Sequence, residues 1–581
     1  MRAGNREGRR TALRLTFTRF APGLGYRPEI TTESLTLLVS VYFILATNLA
    51  FWKAVSATGV LDGSRGWVLV PALALAIVGF HAAAMAALLN RWIVKPVLTI
   101  LLVLTAAVAY FADSYAVHMD QSMIRNMLKT DALEAAELLT PGLFAYLLVL
   151  GIVPAMAVWW VRLKLLPWRR AVLRRFIFIV SMLLLTLVAV FATFNDLSPL
   201  MRNHKALRYL IAPGNYIVSI VREAERQSRP AKRERHVVAP DATQVAHTPG
   251  SKPHLLVIVV GETVRAQNWG LSGYQRQTTP QLASLDVINY QNVTACGSNT
   301  EVSVPCMFSP FGRRSYDQDR ISASESLLHV LERAGVKTLW RDNQTGCKGV
   351  CEGLAFESFR EPRNDDHCDS QACRDAVMLD GLHDAIDDNP GDVVVVLHQL
   401  GNHGPSYYKR YQDTFRRFIP DCRSPDLGSC SRQEIINAYD NAILATDDFL
   451  AKAIRMLSND QSHDTAMIYI SDHGESLGEA NVYLHGLPYA IAPDTQIKVP
   501  LATWLSKGMM ESNQINVACV KERANQPASH DNLFHSVLGL MQIRTNAYDP
   551  GQDLFAGCQA SASGADAGID PPRNSSGQPS G

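Results

Sequence analysis

Five apolar segments, at about 34 to 54, 67 to 89, 94 to 112, 142 to 162 and 175 to 194, fill the first third of this 581-residue chain. Each is close to the ~20 residues an α-helix needs to cross a bilayer. Because hydrocarbon offers backbone groups no partners, five membrane-spanning helices are the expectation. The leader, residues 1 to 33, carries Arg2, Arg6, Arg9, Arg10, Arg14, Arg19 and Arg27 against Glu7, Glu29 and Glu33. The apolar segment behind it is too long for the h-region of a cleaved signal. Arg91 and Lys95 lie between the second and third segments, and Arg162, Lys164, Arg169, Arg170, Arg174 and Arg175 between the fourth and fifth. Cation-rich loops stay cytoplasmic, so five crossings from an inside start put everything after residue 195 outside.

Cysteine usage points the same way. All ten cysteines stand at or beyond Cys296, and an even number confined to one region reads as disulfides in an oxidising compartment. The close pairs are Cys296/Cys306, Cys347/Cys351, Cys368/Cys373 and Cys422/Cys430, with Cys519 and Cys558 left over. Neighbour pairing is expected, although ten cysteines allow many connectivities; zinc-thiolate sites are the rival, without a repeated CxxC spacing. The net charge of +1 points to no bulk polyanion, and hence no nucleic acid, as partner.

Residues 253 to 558 read as an α/β unit. Continuous apolar runs at 255–260, 336–341, 393–398, 467–471 and 499–504 alternate with helical patterns such as 324–334 and 434–457. Unalternating runs are strands buried on both faces, so a parallel sheet covered by helices is predicted. The run from His254 stops at Gly261-Glu262, and that from Ala466 at Asp472-His473. Ligands in open α/β sheets sit beyond the carboxyl ends of the strands, so Glu262, Asp472 and His473 are expected to converge. Oxygen and nitrogen donors of this kind suit zinc. Thr300, in the turn Cys296-Gly-Ser-Asn-Thr300, supplies a hydroxyl as fourth ligand and nucleophile.

In the loop 113 to 141, Asn126, Thr130 and Glu134 recur at i, i+4 and i+8, one polar stripe on a helix; Met123, Met127 and Leu138 give it an apolar surface suited to the bilayer. Residues 196 to 252 form a bridge whose later part, Arg222 to Lys252, is charged and reads as a surface linker; its basic cluster, Arg222, Arg226, Arg229, Lys232, Arg233 and Arg235, could touch anionic head groups, but a solvated linker is the preferred reading. From residue 559 the tail is rich in Gly, Ser, Ala, Asp and Pro, and disorder is expected.

Several ordered segments carry a family resemblance: Val257-Ile-Val-Val-Gly-Glu-Thr-Val-Arg-Ala266, Cys296-Gly-Ser-Asn-Thr-Glu-Val-Ser-Val-Pro-Cys-Met-Phe-Ser309, Trp340-Arg-Asp-Asn343, His398-Gln-Leu-Gly-Asn-His-Gly-Pro405 and Ser471-Asp-His-Gly-Glu-Ser-Leu-Gly478. The chain resembles the membrane-bound phosphoethanolamine transferases that modify lipid A, the family of the mobile colistin-resistance enzymes. The resemblance spans most of residues 30 to 555. It implies an α-helical membrane domain of five transmembrane helices (34–195) plus a periplasmic α/β domain of alkaline-phosphatase/sulfatase-like fold (253–558), joined by residues 196 to 252. It implies Zn2+, one ion bound tightly and room for a second.

Asn126, Thr130, Glu134, Gln344, Lys348, His403 and His485 match positions that bind substrate in the family, although asparagine often stands where this chain has Gln344. The implied donor is phosphatidylethanolamine and the implied acceptor lipid A, in the Gram-negative inner membrane among its lipids, with the enzyme a monomer. Transfer to an LPS core sugar or another periplasmic acceptor is an alternative. A phosphoglycerol transferase of the lipoteichoic-acid synthase type is another, but its relatives lack the Cys296-to-Thr300 setting. A sulfatase needs a formylglycine precursor context, which Cys306-Met-Phe-Ser does not provide.

Overall fold

The structure, a computed structural model, describes residues 27–60, 66–130, 132–228, 235–247, 249–361, 367–368, 373–387 and 389–559. The arginines of the leader before Arg27, residues 229 to 234 of the expected linker and the tail from 560 lie outside those residues. Two compact units emerge. One comprises the chain up to Thr47 with Leu61–Ala106 and Leu147–Leu197; the other comprises Asn48–Val60, Ala107–Tyr146 and everything from Ser198.

Among the described residues, four helices are long and apolar enough to cross a membrane: Gly66–Leu88, Val94–Tyr115, Pro141–Trp160 and Trp168–Ala192. Thr32–Thr47 and Leu49–Ala57, bent by 57° at the break between them, count as a fifth if the pair is one span. The expected first span, 34 to 54, is therefore broken. Asn48 stands at the break, at the N-cap of the second piece, a position asparagine favours over a helix interior. Its amide donates to the Ala212 carbonyl at 2.9 Å and accepts from the Ala212 N–H at 2.8 Å.

The first unit packs Leu35, Val39, Phe43, Leu98 and Leu102 with Ala155 and Val158. Helix Trp168–Ala192 turns Phe176, Leu184, Leu187 and Phe191 outward, where lipid tails solvate them as well as protein would. At one end of this unit Glu29–Ile30 pairs with Arg162–Leu163, and Arg175 reaches Glu33 at 3.5 Å. Lys95 stands over Trp159 and Arg169 over Trp168 at the same end. Such mixed aromatic and cationic belts settle at a membrane–water boundary.

The second unit is built on an eight-stranded sheet. In chain order its strands are β1 (His254–Gly261), β2 (Ile288–Thr294), β3 (Lys337–Asp342), β4 (Phe356–Ser358), β5 (Val393–His398), β6 (Asp464–Ser471), β7 (Lys498–Leu505) and β8 (Pro527–Ser529). They lie in the order β8-β2-β7-β6-β1-β5-β3-β4. Every residue of β1 and β5 is buried, as an apolar run without alternation requires, and each Val or Ile so buried contributes roughly 1.5–3 kcal/mol. Helix Arg432–Asn459 covers the sheet with Ile435, Tyr439, Ile443, Leu450 and Ile454 and starts with a Ser431/Glu434 capping box.

The all-parallel sheet expected from sequence is corrected to a mixed one. β7 runs antiparallel to both β6 and β2. After β6 the chain stays at the carboxyl end of the sheet through a hairpin, Ser476–Glu479 with Val482–Leu484, and then turns straight back, so no crossover helix is needed. The expected surface linker is also corrected: Val238, Ala239 and Ala242 belong to the main core, and Thr243–Gln244 pairs with Ile543–Arg544. Helix Gly214–Ser228 buries Glu223, which is tolerable because Arg125 and Arg226 both reach it, at 3.1 and 2.9 Å.

All ten cysteines are paired, as Cys296–Cys306, Cys347–Cys351, Cys368–Cys373, Cys422–Cys430 and Cys519–Cys558. The last pair closes a sequence separation of 39, against 4 for Cys347–Cys351. Loop-closure entropy then assigns about 4 kcal/mol to the first and about 2 to the second. The double serine variant at Cys519 and Cys558 should therefore unfold in detergent at a clearly lower temperature than the variant at Cys347 and Cys351. The reverse ranking would reject loop entropy as the main term.

Candidate active site and metal centre

The parallel register of β1 and β6 pairs Gly261 with Ser471. One residue further on, Glu262 and Asp472 are brought side by side at the carboxyl end of the sheet, both at 0% exposure. His473 follows, also fully buried. Thr300 is the first residue of helix Thr300–Met307, whose N-cap Asn299 accepts from the Val302 N–H at 3.1 Å. Ahead of it, the Cys296 N–H donates to His530 Nδ1 at 3.1 Å, and His530 Nε2 meets the Ser471 carbonyl at 2.9 Å. His530 thus ties the threonine turn to the end of β6. Burial pushes it down to about 3, so it stays neutral in that role.

The Thr300 hydroxyl stands 3.1 Å from Glu262 Oε2 and 3.3 Å from His473 Nε2. His473 Nε2 is 3.3 Å from both Glu262 Oε1 and Asp472 Oδ2. Four donors held at 2.0–2.1 Å from one tetrahedral ion stand about 3.3 Å apart, so these separations fit a single divalent metal. The electrostatics fit as well. Burial and the adjacent Glu262 push Asp472 up to about 6, and Asp472 Oδ2 is buried without a hydrogen-bond partner. Burial alone would lower His473, but Asp472 and Glu262 outweigh it and push it up to about 10. Two buried carboxylates are drawing positive charge to a place where a cation would fit. His473 Nδ1 bonds the Gly474 carbonyl at 2.9 Å, which turns Nε2 to the cluster.

The site is closed from the side by the turn after β5. Gly401 has φ +49°, and a Cβ there would lie 2.7 Å from the Glu262 carbonyl, which accepts from the Asn402 N–H at 3.0 Å. His403 and His485 have ring centroids 5.6 Å apart, and His485 lies 4.3 Å from His473. His485 Nδ1 bonds Glu475 Oε2 at 2.7 Å, and Glu475 Oε1 accepts from the Tyr407 hydroxyl at 2.5 Å. Burial, ahead of the pull of Glu134 and Glu262, holds His403 below its ordinary value.

A cavity of about 320 Å³ opens from Thr300. Asn126, Thr130, Glu134, Gln344, Lys348, His403 and His485 all line it, together with Phe111, Met123, Met127, Leu138, Leu139 and Leu143. The single helix expected to carry Asn126, Thr130 and Glu134 is corrected to two. Gln121–Lys129 ends where Thr130 turns extended (ψ 130°), and Ala132–Glu137 follows. The Thr130 hydroxyl donates to the Asn126 carbonyl at 2.8 Å, a local bond that competes with helix continuation. Met123, Met127 and Leu138, given to the bilayer surface from sequence, line the cavity instead. Glu301, beside Thr300, is buried and pairs with Lys129 at 2.7 Å and Lys348 at 3.1 Å.

Residues 77–228 match the family model for phosphoethanolamine transferase EptA/EptB, and residues 254–543 match that for sulfatase. The chain is 37% identical to phosphoethanolamine transferase EptA of Salmonella typhimurium over 92% of this chain and 98% of that one. It is 40% identical to phosphatidylethanolamine transferase Mcr-1 of Escherichia coli over 83% and 91%. The solved structure of integral membrane lipooligosaccharide phosphoethanolamine transferase A from Neisseria meningitidis superposes with a TM-score of 0.88 at 34% identity, covering 92% of this chain and all of that one. The chain belongs to the phosphoethanolamine transferase family. Its fold is the family's, a membrane domain of apolar helices joined to a sulfatase-like α/β domain.

Glu475, Tyr407, His530, Lys129 and Glu301 were not singled out from sequence. Only Glu475 carried a signal, two residues after His473. In a phosphoethanolamine transferase, a carboxylate that fixes a site histidine acts through that histidine. Glu475→Gln should lower transfer about 10- to 100-fold while metal content stays at the wild-type level. Unchanged turnover in a folded variant would remove Glu475 from the machinery.

Proposed function

We propose that the protein transfers phosphoethanolamine from phosphatidylethanolamine to a phosphate of lipid A through a covalent Thr300 intermediate, in a zinc-dependent reaction at the outer face of a Gram-negative inner membrane. The observation that carries this reading is the meeting of Thr300, Glu262, Asp472 and His473 at 3.1–3.3 Å at the end of a cavity with an apolar wall. On this reading, residues 1–33 are cytoplasmic, 34–195 span the membrane, 196–252 bridge, and 253–558 form the periplasmic catalytic domain of a monomer. The pairing of every cysteine beyond residue 295 supports the external placement.

Glu262, Asp472, His473 and Thr300 would hold the zinc. When bound, it would supply positive charge that favours the Thr300 alkoxide and neutralises the phosphate. Glu262 accepts the Thr300 hydroxyl hydrogen and so aims an oxygen lone pair at the cavity. Met123, Met127, Leu138, Leu139 and Leu143 take the acyl-bearing end of the donor, and Glu134 suits its ammonium. Lys348 stands at the same wall to receive a phosphoryl oxygen.

In the first displacement, the Thr300 oxygen bonds to phosphorus and the phosphorus–glyceryl oxygen bond breaks. Diacylglycerol departs with a proton, for which His485, oriented by Glu475, is the donor. In the second, a lipid A phosphate oxygen bonds to the same phosphorus, and the bond to Thr300 breaks. Dividing the reaction this way lets one site handle two lipids in turn. Sequestering the threonyl intermediate among buried side chains keeps water from taking the acceptor's place.

Thr300→Ala removes the attacking oxygen and little volume, so a folded variant should release no diacylglycerol from a fluorescent phosphatidylethanolamine. Appreciable turnover would sink the nucleophile assignment. Purified protein should hold about one tight zinc, and Glu262→Gln or Asp472→Asn should lower zinc and activity together; full zinc in both variants would show the ligands to be misassigned. Expression in a Gram-negative host should add a phosphoethanolamine mass increment to lipid A and raise tolerance of polymyxin-like cationic peptides, since the surface loses negative charge. An increment on the core oligosaccharide alone would keep the reaction and change the acceptor.

A further inference from the structure

A second cavity, of about 510 Å³, lies against the first, and Lys129, Glu301, Thr345 and Lys348 line both. The two differ in chemistry. Where the first is walled by methionine, leucine and phenylalanine, the second is lined by Arg125, Lys129, Arg226, Arg235 and Lys348. Its cations are not matched one to one. Among the described residues, Glu223 is shared by Arg125 and Arg226, Glu301 by Lys129 and Lys348, and only Arg235 has a carboxylate to itself, Glu352. Five cations against three carboxylates among the described residues leave an excess of two positive charges, the complement of a phosphate monoester dianion. The remaining lining carboxylate, Glu325, is engaged by Arg333. Gln318 and Ser322 bring polar groups to the same cavity, suited to sugar hydroxyls.

Position adds to charge. Glu301 adjoins the nucleophile in sequence and is buried at 3% exposure, and its carboxylate holds the ammonium groups of Lys129 and Lys348 where the two cavities meet. A phosphate entering from the cationic side competes with Glu301 for both lysines, and it arrives one residue from Thr300. We propose that this second cavity is the acceptor site, taking a phosphorylated sugar head group, while the apolar cavity takes the phospholipid donor. The proposal rests on the reading of the protein as a two-step transferase and deepens it. In the step it serves, an acceptor phosphate oxygen bonds to the phosphorus on Thr300, the phosphorus–Oγ bond breaks, and the threonine oxygen regains the electron pair.

The test separates the two half-reactions in full-length protein. Arg226→Gln removes one excess charge and leaves Glu223 paired with Arg125, and Ser322→Glu places a carboxylate on an exposed residue of the same cavity. Each should raise the apparent KM for lipid A about tenfold, the scale of one charge-assisted hydrogen bond. Diacylglycerol release from phosphatidylethanolamine without acceptor should stay within about twofold of wild type. Inorganic phosphate should inhibit wild-type transfer competitively with lipid A, and less well in Arg226→Gln. An unchanged KM for lipid A in both variants overturns the proposal. So does parallel loss of diacylglycerol release, which marks a structural role, and so does phosphate inhibition that Arg226→Gln weakens while the KM for lipid A stays put, which marks a site for free phosphate only. If wild-type protein releases no diacylglycerol from the donor, the two-step reading fails first, and that outcome is distinguishable from all of these.

Discussion

Two carboxylates buried side by side are the constraint on which the catalytic unit depends. Glu262 and Asp472 are neighbours because the register of β1 with β6 leaves them no other place, and both are fully buried. Their repulsion cannot be relieved by solvent, and burying unpaired charge is among the costliest things a fold can do. What surrounds them therefore supplies positive charge or hydrogen bonds. The Thr263 and His473 N–H groups both donate to Asp472 Oδ1, at 3.1 and 2.7 Å, and the Thr263 hydroxyl donates to Glu262 Oε1 at 2.6 Å. One oxygen, Asp472 Oδ2, is left for an ion.

The proposed nucleophile is placed by the same logic from the opposite direction. Thr300 comes from a different strand connection, so its distance to Glu262 must be fixed by something other than sheet register. The Cys296–Cys306 disulfide closes the turn and its following helix on themselves, and His530 ties the Cys296 backbone to the end of β6. Covalent closure limits how the threonine turn can deform, and a neutral buried histidine adds direction at little electrostatic cost. A hydroxyl held at 3.1 Å from Glu262 is preorganised before any substrate arrives, which is where much of an enzyme's advantage over water originates.

What sequence made legible follows from how local each signal was. The buried runs that became β1, β5 and β6 needed only a count of apolar residues, and the convergence of Glu262, Asp472 and His473 needed only the rule that sites lie at the carboxyl ends of such strands. β2 escaped notice because Ile288–Thr294 contains Asn289, Gln291 and Asn292 and is partly exposed, so it lacks the pattern of a central strand. β4 and β8, at three residues each, exist only through their neighbours. The antiparallel sense of β7 was hidden because it depends on where the preceding connection travels, not on the residues of β7. The break at Asn48 and the turn at Thr130 were single-residue choices, each decided by a side chain bonding to backbone. Glu301, Lys129 and Tyr407 could not be found from sequence, since each acquires its role from a partner far along the chain.

On the proposed assignment, the different linings of the two cavities match the different burial costs of the two lipids. Phosphatidylethanolamine carries a phosphodiester and an ammonium on one head group, so its net charge is near zero, and an apolar wall with a few polar contacts is enough to receive it. A sugar phosphate carries uncompensated negative charge, and a cavity can desolvate it only by offering cations that are not already satisfied. Sharing Glu223 between Arg125 and Arg226, and Glu301 between Lys129 and Lys348, would achieve this while giving each of the four cations a partner. Each arginine or lysine has a partner, yet each pair retains one charge to give. A carboxylate shared in this way holds the side chains in place before the anion arrives, which spares the binding step part of the entropy of ordering them.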